Sequence, residues 1–294
     1  MQEEKHAYLI AAHNEFPLVI RLLKDLDDER NDIFLHIDSK TRKAPLEDIT
    51  QSVTKAKLYL VDRMKVNWGG FTQIECELHL LENAVKKGPY LYYHFLCGTE
   101  FPLKSQDYIH EFFSTNKGAE FIEYDLKDKK YIKRVKYYHF FNECGRPSPR
   151  NGIRFLENTF RQWMLKLQER KGTDRIEQYG MTFMKGNANW SITEDLAKFV
   201  LGKKEEIQKI YAHSYCADEV YLHTIVYNSP FFEKVYRDSD GNTSNMRKQQ
   251  WAKNANNCYR MSDLDGLLES QVLFARKFSG EEGEKVVEQI LKSR

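Results

Sequence analysis

Two hydrophobic rhythms alternate along the first hundred residues. Residues 7–12 (AYLIAA) form a nearly unbroken apolar run, the pattern of a strand buried on both faces. After the polar step at His13 and Asn14, the apolar positions Val19, Ile20, Leu22, Leu23 and Leu26 recur at helical spacing. Residues 32–38 (DIFLHID) read as a second strand ending on a carboxylate, followed by a polar loop over 39–43. A third strand over 57–61 precedes a turn at Trp68-Gly69-Gly70, and the next helix carries Ile74, Leu78, Leu81 and Val85 on one face. Residues 90–97 (YLYYHFLC) read as a fourth strand, with a loop opening at Gly98. This alternation predicts an α/β fold with a mostly parallel sheet covered by helices on both sides. Ligands of such sheets bind beyond the carboxyl ends of the strands. Here those ends are marked by His13, Asp38, Trp68 and the loop over 98–104.

The second half is less regular. Residues 119–124 (AEFIEY) read as a strand, residues 125–136 are dense in lysine, and residues 146–152 (RPSPRNG) form a loop. A long amphipathic helix follows, with Ile153, Leu156, Phe160, Trp163, Met164 and Leu167 at helical spacing, and it reads as a core-packing helix. Helices are expected near 194–201 and 205–213. Residues 214–229 (SYCADEVYLHTIVYNS) read as one more helix, anchored by Val220, Ile225 and Val226 with Tyr221 and Leu222 beside them. Its expected N-cap is Asp218, with Ser214 as the rival. A capping Asp218 leaves Glu219 as the carboxylate without a structural task. A carboxylate near a helix N-terminus is favoured in its ionised form, which suits a general base. Read alone, an ordinary capping arrangement accounts for the pair better, and it is the rest of the chain that lifts Glu219 above it.

Composition removes several classes of function. The chain has 294 residues, 41% hydrophobic, 13% aromatic and 30% charged, with a formal net charge of +2. That is globular and close to charge balance, which argues against a dedicated nucleic-acid binder. Five cysteines without paired short spacing read as thiols in a reducing compartment. No apolar run approaches the ~20 residues of a membrane helix, and the N-terminal stretch has no signal-peptide core. The expected location is the cytoplasm, with peripheral association at the inner face of a membrane compatible. There is no GxxxxGK[ST] and no GxGxxG. The only Asp-x-Asp triplet, Asp238-Ser239-Asp240, sits in a glycine-containing turn that explains it. No metal site is read, so a phosphate leaving group would need protein cations. The candidates are Arg276 and Lys277 in LFARKFS, with Arg260 upstream.

Several separated stretches, in order, resemble one family. YLIAAHNEFPLVIRLL, IFLHIDSK, WGGFTQIECELHLLENA, FLCGTEFPLKS, the segment 186–190, ADEVYLHTIVYNS, MRKQQW and LFARKFS are similar to the core-2/I-branching N-acetylglucosaminyltransferases and the peptide O-xylosyltransferases. The resemblance spans residues 8–279. It implies a GT-A type α/β/α sandwich, a single domain over 1–294 with a nucleotide-binding half over 1–118 and an acceptor and catalytic half over 119–294. It further implies inversion at the anomeric carbon, no metal or other cofactor, a UDP-sugar donor carrying N-acetylglucosamine or xylose, and a glycan or lipid-linked glycan acceptor. Glu219 falls on the family's general base, Lys277 on its pyrophosphate-binding lysine and Arg260 on the companion arginine. His13 and Asp38 fall where the family contacts the nucleotide, with Trp68 nearby. Trp251, Glu123 and Gly186 fall on its acceptor side. Ala217 stands where the family has proline, and Glu100 where it has aspartate. Neither an anchor nor a cysteine framework is present, so the chain looks like a compact bacterial-type relative serving surface polysaccharide synthesis. The rival readings are a sugar- or nucleotide-binding protein without turnover and a metal-dependent nucleotidyltransferase.

Overall fold

Residues 6 to 10 are fully buried in a computed structural model of the protein, which describes residues 4–145, 152–250 and 258–294. They lie in the first of four parallel strands, β1 (His6–Ala12), β2 (Asn31–Ile37), β3 (Lys57–Leu60) and β4 (Tyr92–Cys97). A short strand β5 (Glu100–Pro102) leaves this sheet, and β6 (Trp190–Thr193) runs antiparallel along β4. The spatial order is β3-β2-β1-β4-β6, so the order reverses beside β1. Leu9 pairs with Phe34 of β2 on one side and Phe95 of β4 on the other. A second, three-stranded sheet places β5 beside β8 (Phe274–Arg276), with β7 (Arg247–Gln249) on the outer side. The loop expected over 98–104 therefore contains a strand, because it finds an antiparallel partner far downstream.

The period of two along β1 sorts its side chains into separate cores. Ala7 and Leu9 enter one, while Tyr8, Ile10 and Ala12 enter the other. On the second face pack α1 (Phe16–Asp25) and α2 (Leu46–Gln51), through Leu18, Val19, Leu22 and Ile49. The first face takes α3 (Thr72–Val85), through Ile74, Leu78 and Leu81. Ile109 and Phe113 of α4 (Gln106–Thr115) return to the second. Further along come the short α5 (Lys133–Lys136), α6 (Gly152–Arg170), α7 (Glu194–Leu201), α8 (Lys204–Tyr211) and α9 (Tyr221–Tyr227). The last three line the first face. The short α10 (Leu264–Leu268) and α11 (Gly280–Lys292) complete the second, the latter through Val286, Val287 and Ile290. The result is an α/β/α sandwich around a mostly parallel sheet, and residues on both sides of position 118 contribute to both cores. No described helix is long and apolar enough to cross a membrane. The five cysteines, all described, form no disulfide.

Two expectations are corrected. Residues 119–124 form no ladder. Glu120, Phe121 and Tyr124 make single bridges to Val235, Ser191 and Gly186, three different partners, so the segment crosses between elements instead of joining a sheet. Helix α6 does form, but it does not pack its apolar stripe into the core. Leu156, Phe160 and Trp163 are exposed while Arg161 and Gln168 are buried, because those two polar side chains find partners in the body of the protein.

Candidate active site

Two clusters of polar residues meet beyond the carboxyl ends of the central strands. His13 follows β1 and Asp38 follows β2, and the two ends are laced together. Asp38 N donates to Ala12 O at 2.9 Å and Thr41 Oγ1 to His13 O at 2.9 Å. The buried Asp38 carboxylate accepts from Lys40 N at 2.8 Å and lies 3.4 Å from Lys40 Nζ. Burial holds the His13 imidazole below its ordinary pKa; Asp38 pulls it back up, while Lys277 and Lys40 push it further down. Lys277 thus stands within electrostatic reach of His13 although some 260 residues separate them. The fastening is Glu15, held in the left-handed region at φ 54°, whose carboxylate accepts from Ser279 Oγ at 2.6 Å and Gly280 N at 3.0 Å. Tyr259 N donates to Lys277 O at 2.9 Å, which sets the exposed Arg260 alongside.

The second cluster surrounds Glu219. A 3₁₀ turn over Ala217–Glu219 carries it, after Cys216 at φ 48° and before α9 begins. Two expectations fail here. Asp218 caps nothing: its Oδ2 accepts from Gln73 Nε2 at 3.0 Å and its buried Oδ1 has no partner. The rival cap Ser214 instead accepts from Arg175 through its hydroxyl, at 3.2 Å. A distant side chain outcompetes the local backbone for Asp218, so the helix starts two residues later than that cap would set, at Tyr221, and uncapped. Nor is Glu219 without a structural task, since Arg134 Nη1 lies 2.5 Å from its Oε2 and Lys185 Nζ 4.0 Å. Among the described residues only Oε2 of the carboxylate is engaged. Burial, and then the neighbouring Glu219, push the Asp218 carboxyl up to about 6, with Arg134 opposing. Beneath it Glu77 is fully enclosed and raised by burial and by Asp218, accepting from Tyr221 Oη at 2.8 Å.

The Trp68 turn is bound to this cluster. Cys216 N donates to Gly69 O at 3.0 Å, and the half-exposed Trp68 ring meets Tyr215 edge-on at 5.8 Å. Gly69 has φ 79°, and a Cβ there would lie 2.7 Å from the Tyr215 ring, so only glycine serves both demands. On the other side Gly186 N donates to Glu219 O at 3.0 Å. A Cβ on Gly186 would fall 1.7 Å from Glu123 O and 2.4 Å from His223 Nε2. Glu123, raised in pKa by burial, is therefore packed through Gly186 against the Glu219 turn. Trp251 lies outside the described residues.

Between the clusters runs the end of β8. The Arg276 guanidinium bonds Asn189 Oδ1 and has Glu100, Asp218 and Glu219 within electrostatic reach, while its buried Nε has no partner. Asn189 Nδ2 donates to Glu100 Oε2 at 2.7 Å, and Glu100 Oε1 pairs with buried Arg247 at 2.9 Å. The glutamate at position 100 thus ties β5, β7 and the segment before β6 into one network. Arg134, Lys185, Gln73 and Arg247 escape sequence reading. Arg134 and Lys185 belong to no periodic or motif pattern, and only the fold brings Arg134 across 85 positions to Glu219. Among the described residues no three His, Cys, Asp or Glu side chains converge to hold a metal ion. Asp238 closes the expected turn, its Oδ1 accepting from Asp240 N at 3.0 Å and Asn242 N at 2.9 Å.

Comparison with known proteins places the chain in a family. Residues 6–265 match the family model described as Core-2/I-Branching enzyme. Mouse N-acetyllactosaminide beta-1,6-N-acetylglucosaminyl-transferase is 23% identical over 293 residues, covering 92% of this chain and 68% of that one. Rat Xylosyltransferase 2 is 20% identical over 305 residues, 96% of this chain, which spans only 33% of the rat enzyme. The solved structure of mouse Xyloside xylosyltransferase 1 in its apo form aligns over 92% of this chain and 96% of its own, at 10% identity and a TM-score of 0.43. That last likeness is too weak to bear on the assignment, which rests on the family match: the chain belongs to the Core-2/I-branching enzyme family of glycosyltransferases.

Proposed function

We propose that the protein is an inverting, metal-independent glycosyltransferase that moves N-acetylglucosamine or xylose from a UDP-sugar to a hydroxyl of a glycan acceptor, in surface polysaccharide synthesis. The observation that carries this is the placement of two consecutive cations. Lys277 reaches the His13 and Asp38 side, and Arg276 reaches Asp218 and Glu219. A nucleotide at the ends of β1 and β2 would have its pyrophosphate between these cations and its sugar toward Glu219.

The step is a single displacement. The acceptor oxygen forms a bond to the anomeric carbon as the bond from that carbon to the phosphate oxygen breaks, and the hydroxyl proton passes to Glu219. Arg134 fixes the carboxylate through Oε2 and leaves Oε1 to take the proton. Negative charge growing on the departing UDP falls to Lys277 and Arg260, with Arg276 nearby, so the cations do what a divalent ion does elsewhere. Trp68 borders the donor, Glu123 and Gly186 form the acceptor side, and the family resemblance assigns Trp251 the same role.

Glu219→Gln tests the assignment. It should fold and bind UDP but transfer sugar about 10²- to 10⁴-fold more slowly. The pair with Arg134 is partly exposed, so its loss should cost less than about 1 kcal/mol of stability. Turnover by the wild type should survive EDTA. Wild-type rates in Glu219→Gln would remove the base. Wild-type protein that binds UDP yet neither transfers nor hydrolyses any UDP-sugar, with or without divalent ions, would identify a binding protein on the same fold.

A further inference from the structure

Helix α6 is inverted with respect to the protein it belongs to. Its buried side is polar. The Arg161 guanidinium lies 4.6 Å over the Tyr215 ring and donates to Asn158 at 2.8 Å. Gln168 accepts from Tyr138 N at 2.8 Å and donates to Tyr138 O at 3.0 Å. Its apolar side faces outward, with Leu156 67%, Phe160 46% and Trp163 56% exposed. Phe141, itself 50% exposed, continues the stripe, its ring 5.9 Å from Phe160, which in turn lies 5.7 Å from Trp163. Large side chains three and four positions apart on one open helix face are not the scattered apolar exposure of an ordinary surface.

The charge around the stripe says what covers it. Lys166 and Arg170, three and seven positions beyond Trp163, prolong the same outer face and are exposed, as is Lys171. Lys133 is joined to the end of the helix by its 2.8 Å pair with Glu169, and the exposed Lys127, Lys129 and Lys130 precede it. Over residues 127–145 and 156–171 there are ten lysines and arginines against four acids, in a chain whose net charge is only +2. A second copy would bring two such basic faces together, which repulsion opposes. An amphipathic helix with leucine, phenylalanine and tryptophan on one side and basic residues along it is suited to the interface of an anionic bilayer.

We propose that α6 is a membrane-docking helix. Leu156, Phe160, Trp163 and Phe141 enter the boundary between headgroups and acyl chains of a bilayer carrying anionic lipid, and Lys166, Arg170 and Lys171 meet the headgroups. Arg161 grips Tyr215, which packs on Trp68, so docking sets the Trp68 rim of the site beside the lipid. That placement favours a lipid-linked acceptor, a consequence that rests on the function proposed above; the docking itself does not.

Vesicle flotation tests it without reference to turnover. The full chain should float with phosphatidylcholine vesicles containing phosphatidylglycerol, and neither with pure phosphatidylcholine nor in high salt. A triple substitution, Leu156→Gln with Phe160→Gln and Trp163→Gln, should lower binding at least about tenfold while leaving the melting temperature and UDP affinity intact. Lys166→Glu with Arg170→Glu, which leaves the apolar stripe untouched, should also lower it at least about tenfold, since each basic residue near such a surface contributes about a fivefold factor. It decides the matter if the triple variant misfolds. Absence of flotation by the wild type, or undiminished flotation by a folded variant, overturns the proposal. So does a dimer in sedimentation velocity that the triple substitution dissolves, because the face would then belong to a second copy.

Discussion

Lys277 is exposed and belongs to no ion pair among the described residues, so its charge is available to a ligand. Lys277→Ala should lower the catalytic rate by about two to three orders of magnitude, as loss of a group that stabilises a leaving anion does. UDP should also bind more weakly, because the bound nucleotide already carries the pyrophosphate charge. Steady-state kinetics with calorimetric titration of UDP would check both, and near-normal values in a folded variant would move the phosphate site elsewhere. The positions of Glu219 and Lys277 were legible because each sits in a short run of distinctive residues. The company they keep was not. The ion pair that holds Glu219 joins residues with no shared pattern, and Asp218 looked like a cap because capping is a local preference. A partly buried side-chain bond from Gln73 overrides it, and no local window of sequence contains both partners.

Elements were legible to the extent that their partners are periodic. β1, β2 and β4 lie buried in one sheet with β3 on its edge, and an apolar run announces burial on two faces. The spacing of α6 announces an amphipathic helix but not the direction it faces. That is decided by the partners of Arg161 and Gln168, from segments 54 positions downstream and 30 upstream of them. The crossing at 119–124 has strand-like composition, yet its single bridges to three separate partners deny it a ladder. One of those bridges gives a test at this scale. Gly186→Ala would drive a methyl group into Glu123 O and His223, and neither backbone nor a buried ring gives way easily. The crossing segment and the Glu219 turn should be forced apart, at a cost of roughly 1–3 kcal/mol or more. Thermal denaturation would read the loss, and an unchanged melting temperature would show that the two segments are not packed in this way.

Across the whole molecule the dominant titration is that of buried histidines. Burial, before any other cause, holds His6 and His94 well below the ordinary value, His36, His110 and His139 at about 4, and His223 at about 3. In the unfolded chain these groups take up protons near pH 6.5; in the folded protein they do not. Stability is therefore full above that pH and is lost as pH falls through 6.5 toward 4. Glu77, Glu120, raised to about 7, and Asp218 run the other way, because protonation relieves their burial. Asp25, Glu75, Glu100 and Glu123 are raised as well, but among the groups with large shifts the histidines number six and the raised carboxyls three. With each uncompensated proton contributing about 1.4 kcal/mol per pH unit, the melting temperature should drop by on the order of 5–10 °C per unit between pH 6.5 and 5. Calorimetry across that interval would check it, and a flat profile would mean that the histidines are not buried neutral.

The clasp between Glu15 and Ser279 also sets a clock. By the time the last strand of the five-stranded sheet, ending at Thr193, has left the ribosome, the segment that reaches back to His13 has not been translated. At 5–20 residues per second, the intervening stretch takes roughly 4–17 s to synthesise. A nascent chain can thus finish its sheet while the faces that β8 and α11 will cover are bare, and Lys277 reaches His13 only after the sheet is complete.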